Sequence, residues 1–319
     1  METPRIDTHH HLYPPRFLAE QAERILGVSA GFPSSIVLEW TPQRSLDVLD
    51  EAGVSAAILS ISAPGIWFGD NAAASGLARD CNEYGARLVA DHGRRFGMFA
   101  ALPLPDVAAS LAEIAYAFDM LKLDGIGLMT SYGLRWPGDP SFAAVFDELE
   151  RRRAVVYLHP VAPEPFANLL PDVPQALVEF PFDTTRAILS LLYSGTLARC
   201  PHVRFIVSHG GGTVPFLADR IASLARRPSA AALAARVPNG VEYELKKLYY
   251  DVVSIAGNPH GMKAVRSLIP PSQLLLGSDY PYLKPTQTID ALARLALPDA
   301  EQSAIEHGNA AALFPRLSA

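Results

Sequence analysis

The segment RIDTHHHLYPP, residues 5–15, sets three histidines in a row two residues after Asp7. Imidazoles ligate borderline metals and exchange protons near neutral pH, so the cluster offers either chemistry. In an extended strand, residues i and i+2 face the same side, so His9 and His11 converge while His10 turns away. His-x-His is a weak signal on its own, because a polar strand end produces it equally well. Three more residues strengthen it. His159 ends the apolar run VVYLH, His209 ends FIVSH ahead of three glycines, and Asp279 follows LLLGS. Each has an ordinary reading taken singly: a core histidine, a turn marker, a helix cap. Together with His9 and His11, however, all of them fall at the ends of apolar runs.

Three imidazoles and one carboxylate suit one divalent ion, Zn²⁺ first and Mn²⁺ second, and leave coordination free for water or substrate. The remaining histidine is then available as an acid or base. His92 at a charged helix end, His202 in a loop, His260 at a helix start and His307 in the polar C-terminal helix carry less weight.

The elements that must position these residues are eight apolar runs. They are Arg5–His9, Ala56–Ser62, Phe96–Leu102, Gly125–Thr130, Val155–His159, Arg204–His209, Leu248–Val253 and Leu274–Ser278. Between them lie segments of helical periodicity, including Thr41–Ala52, Asn71–Gly93, Asp106–Lys122, Ser141–Arg153, Thr184–Arg199 and Val214–Arg226. Alternating strands and helices predict parallel βα units, and eight of them predict a closed (β/α)8 barrel. An open doubly wound sheet is the alternative, but no GxGxxG follows the first strand. A barrel gathers strand C-terminal ends at one face, which would bring the five candidates together. No linker or repeat divides the chain, so 1–319 is expected to be one domain. Gly27–Trp40 and Val161–Phe182 are expected to be long loops, of the kind that cover active sites.

Composition narrows the function classes. The net charge is −6 over 319 residues, with no basic stretch, which argues against nucleic acid as a partner. Cys81 and Cys200 form no CxxC motif and fit core positions in a reducing compartment. No 18-residue apolar run predicts a membrane span, and strand signals begin by Arg5, so a cytoplasmic chain without a signal peptide is expected.

The segments DTHHH, LHP, SHGGGTVPFLADR and GSDYPY carry a resemblance to the amidohydrolase superfamily, within its decarboxylase branch. LDEAGVSAAILSISAPG and GNAAALF extend the likeness over essentially the whole chain. The resemblance implies that His9, His11, His159 and Asp279 ligate one metal ion and that His209, with Asp279 beside it, handles the proton. It also implies that Arg220, eleven residues beyond His209, reaches a carboxylate bound in a neighbouring subunit, and hence a homodimer or higher oligomer. There are departures from the branch's pattern. GIGLMTSYG offers no lysine for a second metal, which favours a mononuclear site. SSIVLEW lacks a further substrate arginine, which favours a planar, apolar aromatic acid among Phe32, Trp40, Trp67 and Phe68. The activity implied is nonoxidative decarboxylation of an ortho-hydroxy aromatic acid of the 6-methylsalicylate type, giving 3-methylphenol and CO₂. A hydrolase of a lactone or cyclic amide would use the same ligands and is the rival expectation. A barrel that has lost its activity is a third.

Overall fold

The computed structural model describes residues 4–318 apart from positions 30, 168, 226 and 228–230. Eight parallel strands follow one another in chain order around a sheet. They are β1 (Arg5–His11), β2 (Val54–Ser60), β3 (Phe96–Ala101), β4 (Gly125–Met129), β5 (Val155–His159), β6 (Arg204–Val207), β7 (Tyr249–Asp251) and β8 (Leu274–Leu275). The ring is completed between β1 and the stretch after β8. Leu276 O accepts from Thr8 N at 2.9 Å, His9 O accepts from Asp279 N at 2.8 Å, and Tyr280 O accepts from His11 N at 2.8 Å. The expected closed barrel is therefore present. Its last strand is shorter than predicted because residues 276–280 have become the closing segment.

The principal helices are α1 (Pro15–Val28), α2 (Pro42–Glu51), α3 (Asn71–His92), α4 (Val107–Ala115), α5 (Ala143–Arg151), α6 (Gln175–Ser194), α7 (Val214–Ala225), α8 (Pro259–Leu268) and α9 (Pro285–Arg294). Several start where side-chain chemistry dictates. Thr41 Oγ1 accepts from Arg44 N with Pro42 at the first helical position, and Asp70 accepts from Ala72 N and Ala73 N. Two expectations need correction. The stretch 27–40 is partly helical, since α1 runs to Val28 and a further turn covers Ser35–Leu38. The loop after β5 is shorter than expected, because α6 begins at Gln175 and carries Pro181 inside it. The predicted end of α7 at Arg226 lies outside the described residues, and α4 passes into a wider turn over Tyr116–Met120.

The strands are buried on both faces, as parallel strands must be when helices cover them. Inside the barrel, Ile6, Ile58, Phe99, Tyr157, Ile206 and Leu275 form one cluster. Phe314 and Leu317 of the C-terminal segment close it from below. That plug occupies the end of the barrel away from the strand C-termini, leaving the opposite mouth for chemistry. Among the described residues no helix is long and apolar enough to cross a membrane.

Candidate metal centre at the strand C-termini

β1 does not alternate regularly. Ile6 and Asp7 pair with Ala56 and Ala57, whereas His10 and His11 pair with Leu59 and Ser60. Two residues, Thr8 and His9, thus oppose the single Ile58. This β-bulge shifts the phase by one. Ile6 faces the barrel interior below the bulge, and His9 and His11 face it above. His10 points outward, as its alternation with them predicts. It donates from Nδ1 to Asp7 (3.0 Å), contacts Ser45 Oγ with Nε2 (3.0 Å) and stacks on Tyr280 with ring centroids 4.7 Å apart.

His9, His11, His159 and Asp279 each present one donor atom, and the four atoms lie within 4.8 Å of one another. Three of these separations are tighter: His9 Nε2 to His11 Nε2 3.2 Å, His11 Nε2 to Asp279 Oδ1 3.0 Å and His9 Nε2 to Asp279 Oδ1 3.2 Å. Tetrahedral donors at about 2.0–2.1 Å from an ion stand about 3.3 Å apart, close to those values. The tautomers fit as well. His9 Nδ1 donates to Asp251 Oδ2 (2.9 Å) and His11 Nδ1 faces Ser60 O and Oγ (3.3 and 3.1 Å), so both Nε2 lone pairs turn toward the centre. His159 keeps a buried Nδ1 with no hydrogen-bond partner among the described residues. A buried polar atom without a partner costs free energy. Donor types, spacing and that orphaned nitrogen all fit a divalent ion.

Electrostatics points the same way. Burial depresses His9, but Asp279 and Asp251 outweigh it and raise its pKa to about 10. Burial, then the charge on His9, lowers His11. Burial, reinforced by His11 and His9, drives His159 well below the ordinary histidine value. Burial opposes ionisation of Asp279, yet His9, His11 and His209 keep its carboxyl well below the usual range. The carboxylates thus favour positive charge at the centre, and burial biases His11 and His159 toward the neutral form that can ligate an ion.

His209 stands beside this group, its Nε2 3.4 Å from Asp279 Oδ2, the carboxylate's other oxygen. Both residues adopt left-handed backbone conformations, with φ of 53° and 66°. Non-glycine residues rarely do so, and the strain concentrates at functional sites. Gly210, Gly211 and Gly212 continue the turn with positive φ. At Gly212 a Cβ would sit 2.2 Å from Pro181 O, so the turn presses directly onto α6.

Asp251, at the end of β7, escaped the sequence reading. It is fully buried; its Oδ1 accepts from His209 N (2.8 Å) and Val253 N (3.2 Å) while its Oδ2 holds His9. One carboxylate therefore sets both a donor of the candidate metal group and the backbone of His209. Its strand-end position was the available signal, but YYDVV reads as ordinary core strand. Arg220 is exposed on α7 and does not line the cavity of its own chain.

Above the centre opens a cavity of about 350 Å³, bounded by His159, His209 and Asp279 below and by Phe32, Phe180 and Tyr282 around its walls. Among the described residues neither arginine nor lysine lines it. Phe32 packs edge-on against Tyr282, and α6 supplies Phe180 and Pro181.

The amidohydrolase family model matches residues 6–316. The chain belongs to this family. Over 98% of its length it is 36% identical to the decarboxylase yanB of Aspergillus niger, covering 88% of that protein. Over 98% of its length it is also 34% identical to the 6-methylsalicylic acid decarboxylase of Penicillium expansum, covering 97% of that protein. The crystal structure of an amidohydrolase II superposes with a TM-score of 0.88 at 28% identity, covering 97% of this chain and 99% of the other. The family assignment expected from DTHHH, LHP, SHGGG and GSDYPY is borne out.

Asp251→Asn keeps the volume of the side chain but removes the anion that orients His9. Metal affinity is expected to fall by about 10- to 100-fold, the usual cost of losing an outer carboxylate partner. Competition with a chromophoric chelator measures it, and an unchanged affinity would show that Asp251 does not tune the centre.

Proposed function

We propose that the chain is a metal-dependent decarboxylase of an ortho-hydroxy aromatic carboxylic acid, of the 6-methylsalicylate type, releasing 3-methylphenol and CO₂. The observation that carries this reading is a four-donor group and an adjacent, unligated His209 beneath an aromatic-walled cavity. The yanB relative supports decarboxylation, and the 6-methylsalicylic acid decarboxylase of Penicillium expansum supports the substrate class.

His9, His11, His159 and Asp279 would hold the ion, Zn²⁺ by the balance of imidazole and carboxylate, with Mn²⁺ as the alternative. When bound, such an ion supplies a Lewis acid and template for the phenolate and carboxylate oxygens. Direct loss of CO₂ from an aryl carbon would leave an unstabilised aryl anion, so the ring carbon must be protonated first. His209 and Asp279, 3.4 Å apart, share the proton delivered there. The C–C bond to the carboxylate then breaks, its electron pair restores the ring, and CO₂ leaves. Asp251 fixes the backbone of His209 through that step, and Phe32, Phe180 and Tyr282 hold the ring and keep water from it. No redox partner enters the balance.

Residues 1–319 would work as one domain in a reducing cytoplasm, where Cys81 and Cys200 stay as buried thiols. The exposed Arg220 would serve the cavity of a second copy in a homodimer or larger oligomer, supplying a guanidinium that no described residue of the cavity's own walls provides.

Metal-replete protein incubated with 6-methylsalicylate in D₂O is expected to yield 3-methylphenol carrying one deuterium at the vacated carbon, seen by proton NMR. Unchanged substrate with metal confirmed in the protein would remove this substrate class and return the hydrolase alternative. Arg220→Ala and His209→Ala are each expected to be inactive alone, yet to recover part of the activity when their subunits are exchanged. Failure to recover despite demonstrated exchange would remove the shared site.

A further inference from the structure

A second cavity, of about 490 Å³, lies beside the first at the same mouth of the barrel. The two share Val28 and Ala63 in their walls, so they are neighbours across the end of α1 and the loop that follows β2. The chemistry of their linings differs. Among the described residues the catalytic cavity has no arginine or lysine on its lining, whereas the second contains Arg24 together with the aromatic faces of Trp67, Phe68 and Tyr132.

Arg24 is held but not neutralised. Its guanidinium stacks over the Phe68 ring at 4.6 Å from the centroid, and Nη1 donates to Gln21 Oε1 at 2.7 Å. Among the described residues Arg24 forms no ion pair with a carboxylate, Glu164 on the same lining included. A guanidinium has five donors in a planar fork, and one of them is used here. The others match a carboxylate in shape and charge.

The walls are fixed before any ligand arrives. Trp67 Nε1 donates to Asn71 Oδ1 at 2.9 Å, and the Tyr132 hydroxyl accepts from Met129 N at 3.1 Å. Below Ser131, the buried Asp183 accepts from Thr130 Oγ1 (2.6 Å), Ser131 Oγ (2.9 Å) and Trp136 Nε1 (2.7 Å). That clamp ties the end of β4 to α6, which also walls the catalytic cavity. Preformed aromatic walls with one oriented cation make a site for a flat anion.

We propose that this second cavity is a capture site for aryl carboxylates, with Arg24 taking the carboxylate and Trp67 and Phe68 the ring. It deepens the decarboxylase reading and rests on it for the identity of the natural ligand. The division is physical: a fixed cation collects the acid at the mouth, and the ring then passes Ala63 into the cavity where the bound ion and Arg220 of the partner subunit would take over its carboxylate.

Benzoate is the probe, because it carries the ring and the carboxylate but no ortho-hydroxyl for turnover. The full-length, metal-loaded protein is labelled with 5-fluorotryptophan, and the ¹⁹F resonance of Trp67 is assigned with Trp67→Phe. Benzoate is expected to shift that resonance saturably, while neutral benzamide at the same concentrations leaves it in place. Arg24→Gln is expected to need about tenfold more benzoate for the same shift, the scale of one charge-assisted hydrogen bond. A Trp67 resonance that benzoate does not move, or an Arg24→Gln titration that follows the wild type, would overturn the capture site. The titration does not depend on turnover. An Arg24-dependent shift in a protein that leaves 6-methylsalicylate unchanged would therefore uphold the site and count against the decarboxylase reading alone.

Discussion

The site depends on one extra residue in β1. Strand side chains alternate with a period of two, and the barrel floor requires Ile6 to point inward. A regular strand would then send Thr8 and His10 to the axis and His9 and His11 to the outer layer. Placing Thr8 and His9 opposite Ile58 reverses the phase between floor and mouth. Asp7 holds the reversal in place. Its carboxylate accepts from His9 N (3.1 Å), His10 Nδ1 (3.0 Å), Ser278 N (2.9 Å) and Ser278 Oγ (2.5 Å). The group that keeps His10 outward thus also stitches β1 to the closing segment that carries Asp279. Gly277 permits the approach, since a Cβ there would stand 2.8 Å from His9 Cβ.

The same economy governs the buried charge. Asp7, Asp183 and Asp251 are fully buried carboxylates, which is costly unless the oxygens are occupied. Each accepts at least three hydrogen bonds, and at least one donor to each lies on a different element of the fold. Satisfying these anions therefore fixes the relative placement of β1 with the segment after β8, β4 with α6, and β7 with β6. Three unfavourable features, left-handed His209 and Asp279 and the orphaned nitrogen of His159, lie together at the candidate metal centre. The surroundings are over-determined, so the centre can be held strained.

Much of the site was legible in the sequence because its residues end apolar strands. His9, His11, His159, His209 and Asp279 all do so, and the fold brings the five together. What could not be read was of three kinds. The bulge is a property of pairing between β1 and β2, and local alternation around His9–His11 gives the right facing without revealing it. Asp251 sits at a strand end as well, but an aspartate between YY and VV has no spacing that announces a ligand to histidine. Pro181 marks a helix boundary by its chemistry, yet lies within α6, so the loop after β5 looked longer than it is. Arg220 shows a different limit, since a residue proposed to act on another subunit lines nothing in its own.

The proposed chemistry rests on a division of labour in which four side chains would hold the ion and His209 would stay free of it. Metal content of purified His159→Ala and His209→Ala proteins, loaded identically and measured by plasma mass spectrometry, tests this directly. His159→Ala is expected to lose most of its metal, while His209→Ala retains about one ion per chain and loses turnover, as an acid–base role requires. A metal-free His209→Ala protein, or a fully occupied His159→Ala protein, would contradict the account and redraw the ligand set.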